Sequence, residues 1–241
     1  MIASAFKALN QMFTPPLRRV LLKAVGLALL LIAIIGIGLQ RLFAAMANSG
    51  ASWAEQSTGV TWGWEALTWI LSIMASLGII TGALFLMPAV TAFVGSFFVD
   101  EIAEVVEREH YPAEPAGRAL PVFRGMIEGI KIGLLALCVY LVSLPFLLFA
   151  GFGLVILFMG TAYLLGREYF ELAAMRFRPP EEAKAMRKAH AGYVFLAGMV
   201  VALFVSIPIL NFATPVFAMA FMVHLHKQMS GGRAELIEPA R

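Results

Sequence analysis

The chain has 241 residues, of which 61% are hydrophobic and 14% charged, and its mean hydropathy is +0.85. This composition excludes a soluble globular protein and indicates an integral membrane protein. The formal net charge of +3 fits basic residues that flank membrane segments. The sequence has no basic face interleaved with aromatic residues, which is the pattern that would indicate nucleic-acid binding.

The N-terminal residues 2–13 predict a helix that lies in the membrane interface. Apolar side chains recur at helical spacing along this segment, at Ile2, Phe6, Leu9 and Phe13. Thr14 is suited to cap the next helix, and Pro15 is suited to its first position. That helix is the first predicted transmembrane span, at about residues 17–41.

A cleavable signal peptide is the competing interpretation of the same segment. Basic residues precede its apolar run, and the small residues around Met46 resemble a cleavage site. The run is longer than the usual core of about 7 to 15 residues, and Arg41 lies between it and the cleavage site. These features favour a retained span.

The next two segments are a polar loop and a second span. Residues 43–65 predict a loop with tryptophans at the headgroup level, and residues 66–99 predict a second transmembrane helix, kinked at Pro88. A charged helix follows it. Its charges predict either a solvated face or structural ion pairs, for which the candidates are Glu104, Glu107, Arg108 and, further along the chain, Arg167.

Two long apolar runs, 132–163 and 193–226, are each interrupted near the middle by proline. Each run is too long for one comfortable span of about 20 residues and too short for two. They predict helical hairpins that penetrate the membrane partway. Interrupted backbone at membrane depth requires cover by protein or by a water-filled cavity, so Pro145, Pro208 and Asn211 are candidate residues of a permeation path.

A polar connection between the hairpins is predicted to open at Gly166 and to contain a short surface helix after Pro179, which ends at Gly192. The charge pattern supports the hairpins. If both apolar runs re-enter, every lysine and arginine except Arg41 lies on the side of the N-terminus, which the positive-inside rule places in the cytoplasm. Four full spans would move the basic connection to the other side.

The predicted fold is therefore an all-α integral membrane protein with two long transmembrane helices and two proline-broken, partially penetrating hairpins. It forms a single domain over residues 1–229 with both termini in the cytoplasm, and residues 230–241 are expected to be a disordered tail.

No enzyme constellation stands out. His224 and His226 are two residues apart on a predicted helix, so their side chains diverge too far to share a metal ion. No phosphate-binding loop occurs. We therefore expect neither catalysis nor a metal or other cofactor.

The start of the first span combines two features that bind anions: a helix N-terminus and the guanidinium groups of Arg18 and Arg19. Arginine presents a planar fork of donors that matches an oxyanion such as sulfate. The alternative interpretation is that these arginines are cytoplasmic anchors that set orientation, and composition alone favours the anchors.

Three short motifs, in order along the chain, resemble the CysZ-type sulfate permeases and the broader etoposide-induced-protein family. They are Pro-Leu-Arg-Arg at residues 16–19, Gly-Arg-Glu-Tyr at 166–169 and Ile-Pro-Ile-Leu-Asn at 207–211. The resemblance implies an oligomeric inner-membrane protein that moves sulfate or a related oxyanion for sulfur assimilation. A non-transporting membrane scaffold or envelope-stress protein of the same fold is the alternative.

The resemblance also implies a sulfate site. The family's Gly-Leu-Arg motif falls on Pro16, Leu17 and Arg18, with Arg19 following. Proline replaces the glycine and lacks an N–H group, so one backbone donor is missing here. Members of the family are also expected in both orientations within one oligomer, whereas the charge bias predicts a single orientation.

Overall fold

The computed structural model describes residues 1–58, residues 69–119 without 71, 75, 79–86, 88–89 and 92, and residues 152–230. It also describes Leu134, Cys138, Val139, Leu141, Val142 and Phe146. The described part is all-helical apart from turns and connections. Pro88, Pro145 and the predicted tail beyond Ser230 lie outside the described residues.

The helix predicted at the N-terminus is present as α1, Ile2–Gln11. Its polar residues Ser4 and Gln11 are buried, while Ile2 and Phe6 are 70% and 62% exposed. The helix therefore packs onto the rest of the protein through Ser4, Ala8 and Gln11 and leaves its large apolar side chains outside, an arrangement compatible with the predicted position in the membrane interface.

The second helix, α2, runs over Pro15–Thr58 and is longer than predicted. It begins at the expected proline but continues through residues 43–58, where we predicted a loop. The alanines and Met46 in this stretch are strong helix formers, and Asn48, Ser49 and Gly50 each cost a helix only about 1 kcal/mol or less. At 44 residues, α2 is about 66 Å long.

The described residues between 69 and 96 are helical, and a turn at residues 97–98 leads into α3, Val99–His110. This is the charged helix predicted after the second span. Its buried face carries Ile102, Val106 and Glu107.

The following helix, α4, runs over Phe152–Met175 and contradicts the polar connection predicted to open at Gly166. The helix continues for nearly three more turns because Tyr169, Phe170 and Ala173 are buried there. The short surface helix α5, Pro180–Ala189, is present as predicted, with acidic residues in its first turn and basic residues in its last. It ends before Gly192, which lies inside the next helix.

The second broken run forms α6, Ala191–Val205, then the four-residue α7, Pro208–Asn211, and α8, Thr214–Met229. The interruption occurs where the prolines predicted it. The rings of Phe204 and Phe217 stack across the break with centroids 4.4 Å apart, so the two longer helices contact each other close to it.

One helix of the described residues is long and apolar enough to cross a membrane, Pro15–Gly50 within α2. The pair α5 and α6 passes the same test together, but it is bent by 92° at the junction. The chain divides into two compact units, Met1–Val25 with Thr91–Arg241 and Gly26–Val90. The site residues considered below that the structure describes lie in the first unit.

Glycines allow α4 and α6 to pack in close contact. A Cβ atom added at Gly198 would overlap the carbonyl oxygen of Ala162 and come within 2.9 Å of the Cα atom of Gly166. Backbone approach of this kind needs a residue without a side chain at the crossing. The contact places the middle of α4 against the middle of α6.

We predict that Gly198→Ala destabilises the protein by about 1 to 3 kcal/mol or more, because the added methyl group meets backbone that cannot move aside. Thermal unfolding in detergent measures the loss. Gly192→Ala is the matched control, since a Cβ atom there has nothing within 4 Å. Equal melting temperatures for the two variants would contradict the close crossing.

Candidate anion-binding site

The predicted anion site lies at the start of α2. Leu17 is completely buried and Val20 and Ala24 are nearly so, which defines the face of α2 that packs into the protein. Arg18 and Arg19 follow Leu17 by one and two residues, so they point away from that face and are exposed. The buried leucine anchors the helix start, and the arginines face outward.

The backbone at this helix start offers fewer donors than the usual N-terminus. Pro15 and Pro16 have no N–H group, and the N–H of Arg18 already donates to the carbonyl of Thr14 at 2.8 Å. The hydroxyl of Thr14 donates backward to the carbonyl of Gln11 and does not cap α2. Leu17 therefore carries the one free N–H group of the first turn, and ligand binding depends mainly on the guanidiniums.

Neither guanidinium group makes an ion pair or hydrogen bond to a described residue. Lys23, one turn further along, is different, because its Nζ lies 2.8 Å from Oε1 of Glu101. Both arginines thus keep their full set of donors for a ligand.

The candidate path residues are partly described. Pro208 begins α7 and Asn211 ends it, with Asn211 6% exposed. No hydrogen bond or ion pair within the described part of the chain joins Asn211 to Arg18 or Arg19. Pro145 lies outside the described residues.

The strongest charge cluster surrounds Arg176, a residue that the sequence analysis did not single out. Its side chain is 2% exposed, and its Nε and Nη2 donate to the two carboxylate oxygens of Glu107 at 2.7 and 3.1 Å. Its Nη1 donates to Asp100. Burial opposes the charge of Arg176, but the two carboxylates outweigh it and raise its pKa.

The loop after α3 completes this cluster. The N–H of Gly117 donates to Oε2 of Glu107 at 2.9 Å, and the N–H of Arg118 donates to the carbonyl of Arg176 at 2.9 Å. The one sequence signal for Arg176 was its spacing, since it follows Tyr169 and Ala173 at i+7 and i+3 on their buried face.

The other predicted ion-pair residues have different environments. Arg167 lies 3.5 Å from Glu171, one turn along α4. Glu104 and Arg108 are exposed and make no ion pair with any described residue. The predicted set therefore divides into a buried member, Glu107, a partly exposed one, Arg167, and two on a solvated face.

A second buried cation lies near the same loop. Lys227 has a side chain that is 3% exposed, and its Nζ lies 2.6 Å from Oε2 of Glu114 and 3.7 Å from the centroid of the Phe177 ring. The carboxylate and the aromatic face together compensate the charge. This contact connects α8 to the loop after α3.

His224 and His226 occupy polar and aromatic contacts. His224 bonds through Nε2 to Oε1 of Gln11 at 3.0 Å and through Nδ1 to the hydroxyl of Tyr111 at 2.9 Å. The ring of His226 stacks on Phe177 at 5.5 Å. Among the described residues, no group of three histidine, cysteine, aspartate or glutamate side chains could hold a metal ion.

One carboxyl group in this region has no partner among the described residues. Glu168, beyond the predicted hairpin 132–163, is partly buried and makes no hydrogen bond or ion pair to a described residue. Burial raises its pKa to about 7. Its protonation is therefore expected to change near neutral pH.

Comparison with known families supplies the context for these charges. The model of the family described as "Sulfate transporter CysZ/Etoposide-induced protein 2.4" matches residues 4–215. The chain belongs to this family. The match includes the start of α2, the Arg176 cluster and the break at α7, and it confirms the resemblance inferred from the three motifs. No curated protein and no solved structure gives a significant match.

We predict that Glu107→Gln lowers the free energy of unfolding by roughly 3 to 5 kcal/mol, because it leaves Arg176 buried with one carboxylate fewer. Chemical or thermal unfolding in detergent measures the change. Glu104→Gln removes the same charge from the exposed face of the same helix and should change stability by less than about 0.5 kcal/mol. Similar losses for both variants would show that the Arg176 contact contributes little.

We also predict a pH-dependent effect of Glu168→Gln. The pKa of Glu168 is about 7 in the folded protein and near its ordinary value of 4.5 in the unfolded chain. Its destabilising effect is therefore absent below about pH 4.5, grows as the pH rises to about 7 and stays constant above that. Glu168→Gln should therefore raise the melting temperature more at about pH 8 than at about pH 5. The exposed Glu182→Gln variant is the control, and an equal shift at both pH values would contradict the prediction.

Proposed function

We propose that this family member is a permease that moves sulfate or a related small oxyanion across the bacterial inner membrane into the cytoplasm, where it supplies sulfur assimilation. One observation carries the proposal. Arg18 and Arg19 are exposed, and their side chains have no partner among the described residues. They lie at the start of the one described helix that is long and apolar enough to cross a membrane, in a chain that belongs to a sulfate transporter family.

The chemistry of this pair supports an oxyanion. Each guanidinium presents donors in a plane that matches two oxygens of a tetrahedral anion, and charge-assisted bonds of this kind are stronger than neutral ones. The pair has no carboxylate among its described contacts, so an incoming anion does not have to displace one. Exposure keeps the site hydrated, so binding should be weak enough for release.

The proposed route continues along interrupted backbone. Pro145 in the first broken run and Pro208 to Asn211 in the second would line it, because irregular backbone at membrane depth needs a cavity or a protein partner. The break between α6 and α8 and the buried Asn211 support this assignment. Passage would be channel-like or coupled to a gradient, without ATP hydrolysis by this chain.

The proposal includes a topology. Two long transmembrane helices and two partially penetrating hairpins would leave both termini in the cytoplasm, and subunits would assemble as homo-oligomers in the lipid bilayer. The charge bias supports this orientation, since Arg41 alone among the lysines and arginines falls on the opposite side.

We predict that purified protein in proteoliposomes takes up radiolabelled sulfate. The uptake rate of the Arg18→Gln, Arg19→Gln double variant should be at least about tenfold lower than that of the wild type. The estimate assumes that each lost charge-assisted contact contributes about 1 kcal/mol or more. The matched control is Lys184→Gln, Lys188→Gln, which removes two charges from the surface helix α5 and should retain transport.

The comparison of uptake rates requires that the wild-type and variant proteins are equally well folded and inserted in the same orientation. Size-exclusion profiles and protease accessibility of the termini check both in the same liposomes. Uptake that survives in the arginine variant would remove Arg18 and Arg19 from the mechanism. No uptake above empty liposomes by well-folded wild-type protein would favour the alternative, a membrane scaffold or envelope-stress protein in which the arginines are anchors.

A further inference from the structure

We propose that a pocket between α4 and the bend from α5 to α6 binds the phosphate headgroup of an anionic phospholipid, with Arg167 and Arg187 holding the phosphate and an apolar stripe of α4 holding an acyl chain. The site is separate from the arginines at the start of α2, and its test does not require transport.

The pocket is an open recess with a cavity volume of about 30 Å³. Its walls come from the middle of α4, the end of α5 and the beginning of α6. The lining residues are Tyr163, Arg167, Arg187, Ala191, Val194 and Phe195. Two cationic side chains therefore meet aromatic and aliphatic walls within one small space.

Glu171 positions both arginines and leaves them with surplus charge. Its Oε1 accepts from Nε of Arg187 at 2.6 Å and lies 3.5 Å from Nε of Arg167. The carboxylate and Arg187 are 10% and 12% exposed, and Arg167 is 40% exposed. Two guanidiniums against one carboxylate give a net charge of +1.

The remaining donors of the arginines are available to a ligand. Apart from Glu171, neither guanidinium has a hydrogen-bond or ion-pair partner among the described residues, so their Nη groups are unused there. A phosphodiester with one negative charge matches both the surplus charge and the fork geometry of these groups. The pocket also opens at the first residue of α6, where the helix dipole favours an anion.

The apolar stripe distinguishes a lipid from a free anion. Exposed side chains recur every three or four residues along the face of α4 that ends at Arg167, namely Phe152, Ile156, Met159 and Tyr163. Their exposed fractions are 68%, 37%, 36% and 48%. A headgroup held by Arg167 would direct its acyl chain along this stripe, whereas hydrated sulfate would gain nothing from it.

Native mass spectrometry of the full chain, titrated with phosphatidylglycerol or phosphatidylcholine, tests the proposal. We expect wild-type protein to bind phosphatidylglycerol about fivefold more tightly than phosphatidylcholine. Arg167→Gln should abolish that preference while the ion pair between Arg187 and Glu171 stays intact. Lys188→Gln removes one positive charge from the exposed side of α5 and should keep the preference.

A second variant controls for misfolding of the first. The triple change Arg167→Gln, Glu171→Gln, Arg187→Gln leaves no buried charge unpaired and alters the net charge by the same amount as Lys188→Gln. Loss of the preference in both arginine variants supports the site. Equal effects of Arg167→Gln and Lys188→Gln would overturn it in favour of general surface charge.

Competition with sodium sulfate separates the two sources of an oxyanion. If the pocket holds a lipid, excess sulfate should weaken phosphatidylglycerol binding no more than sodium chloride at equal ionic strength does. Specific displacement by sulfate, or equal binding of glycerol phosphate without acyl chains, would overturn the lipid assignment and make the pocket a site for free oxyanions.

Discussion

Arg176 carries a positive charge that is almost entirely removed from water, and the arrangement of the helices around it follows from the need to compensate that charge. Glu107 accepts hydrogen bonds from two nitrogens of the guanidinium, and Asp100 accepts one from the third. The backbone N–H of Gly117, in the loop after α3, also donates to Glu107. A buried guanidinium without these partners would cost several kcal/mol. The end of α4 can therefore occupy its position only where the carboxylates of α3 are already beside it.

The consequences extend to both sides of this cluster. On one side, the loop after α3 is held close enough for Glu114 to reach Lys227, which ties α8 to the same region. On the other side, α4 continues as a helix past Gly166 and packs closely against α6 where Gly166 meets Gly198. That crossing brings Arg167 and Arg187 to one recess beside Glu171.

The arginines of this protein thus have two different physical situations, although their residue type is the same. Arg176 is enclosed by carboxylates, so its charge stabilises the fold and is closed to a ligand. Arg18 and Arg19 face outward without a described partner, and Arg167 keeps unused donors at a pocket. Exposure and the number of compensating carboxylates, rather than residue type, separate structural charges from candidate binding charges.

The sequence by itself determined the membrane class, the family, the helix α1, the start of α2, the surface helix α5 and the interruption at Pro208. These features depend on local composition, prolines and helical periodicity, which act within a few turns. The lengths of α2 and α4 were underestimated, because polar residues and glycines suggested breaks that helix propensity and packing overrode. Only the tertiary structure decided which charges meet, since Arg176 and Glu107 are 69 residues apart and their pairing requires burial that no local pattern specifies.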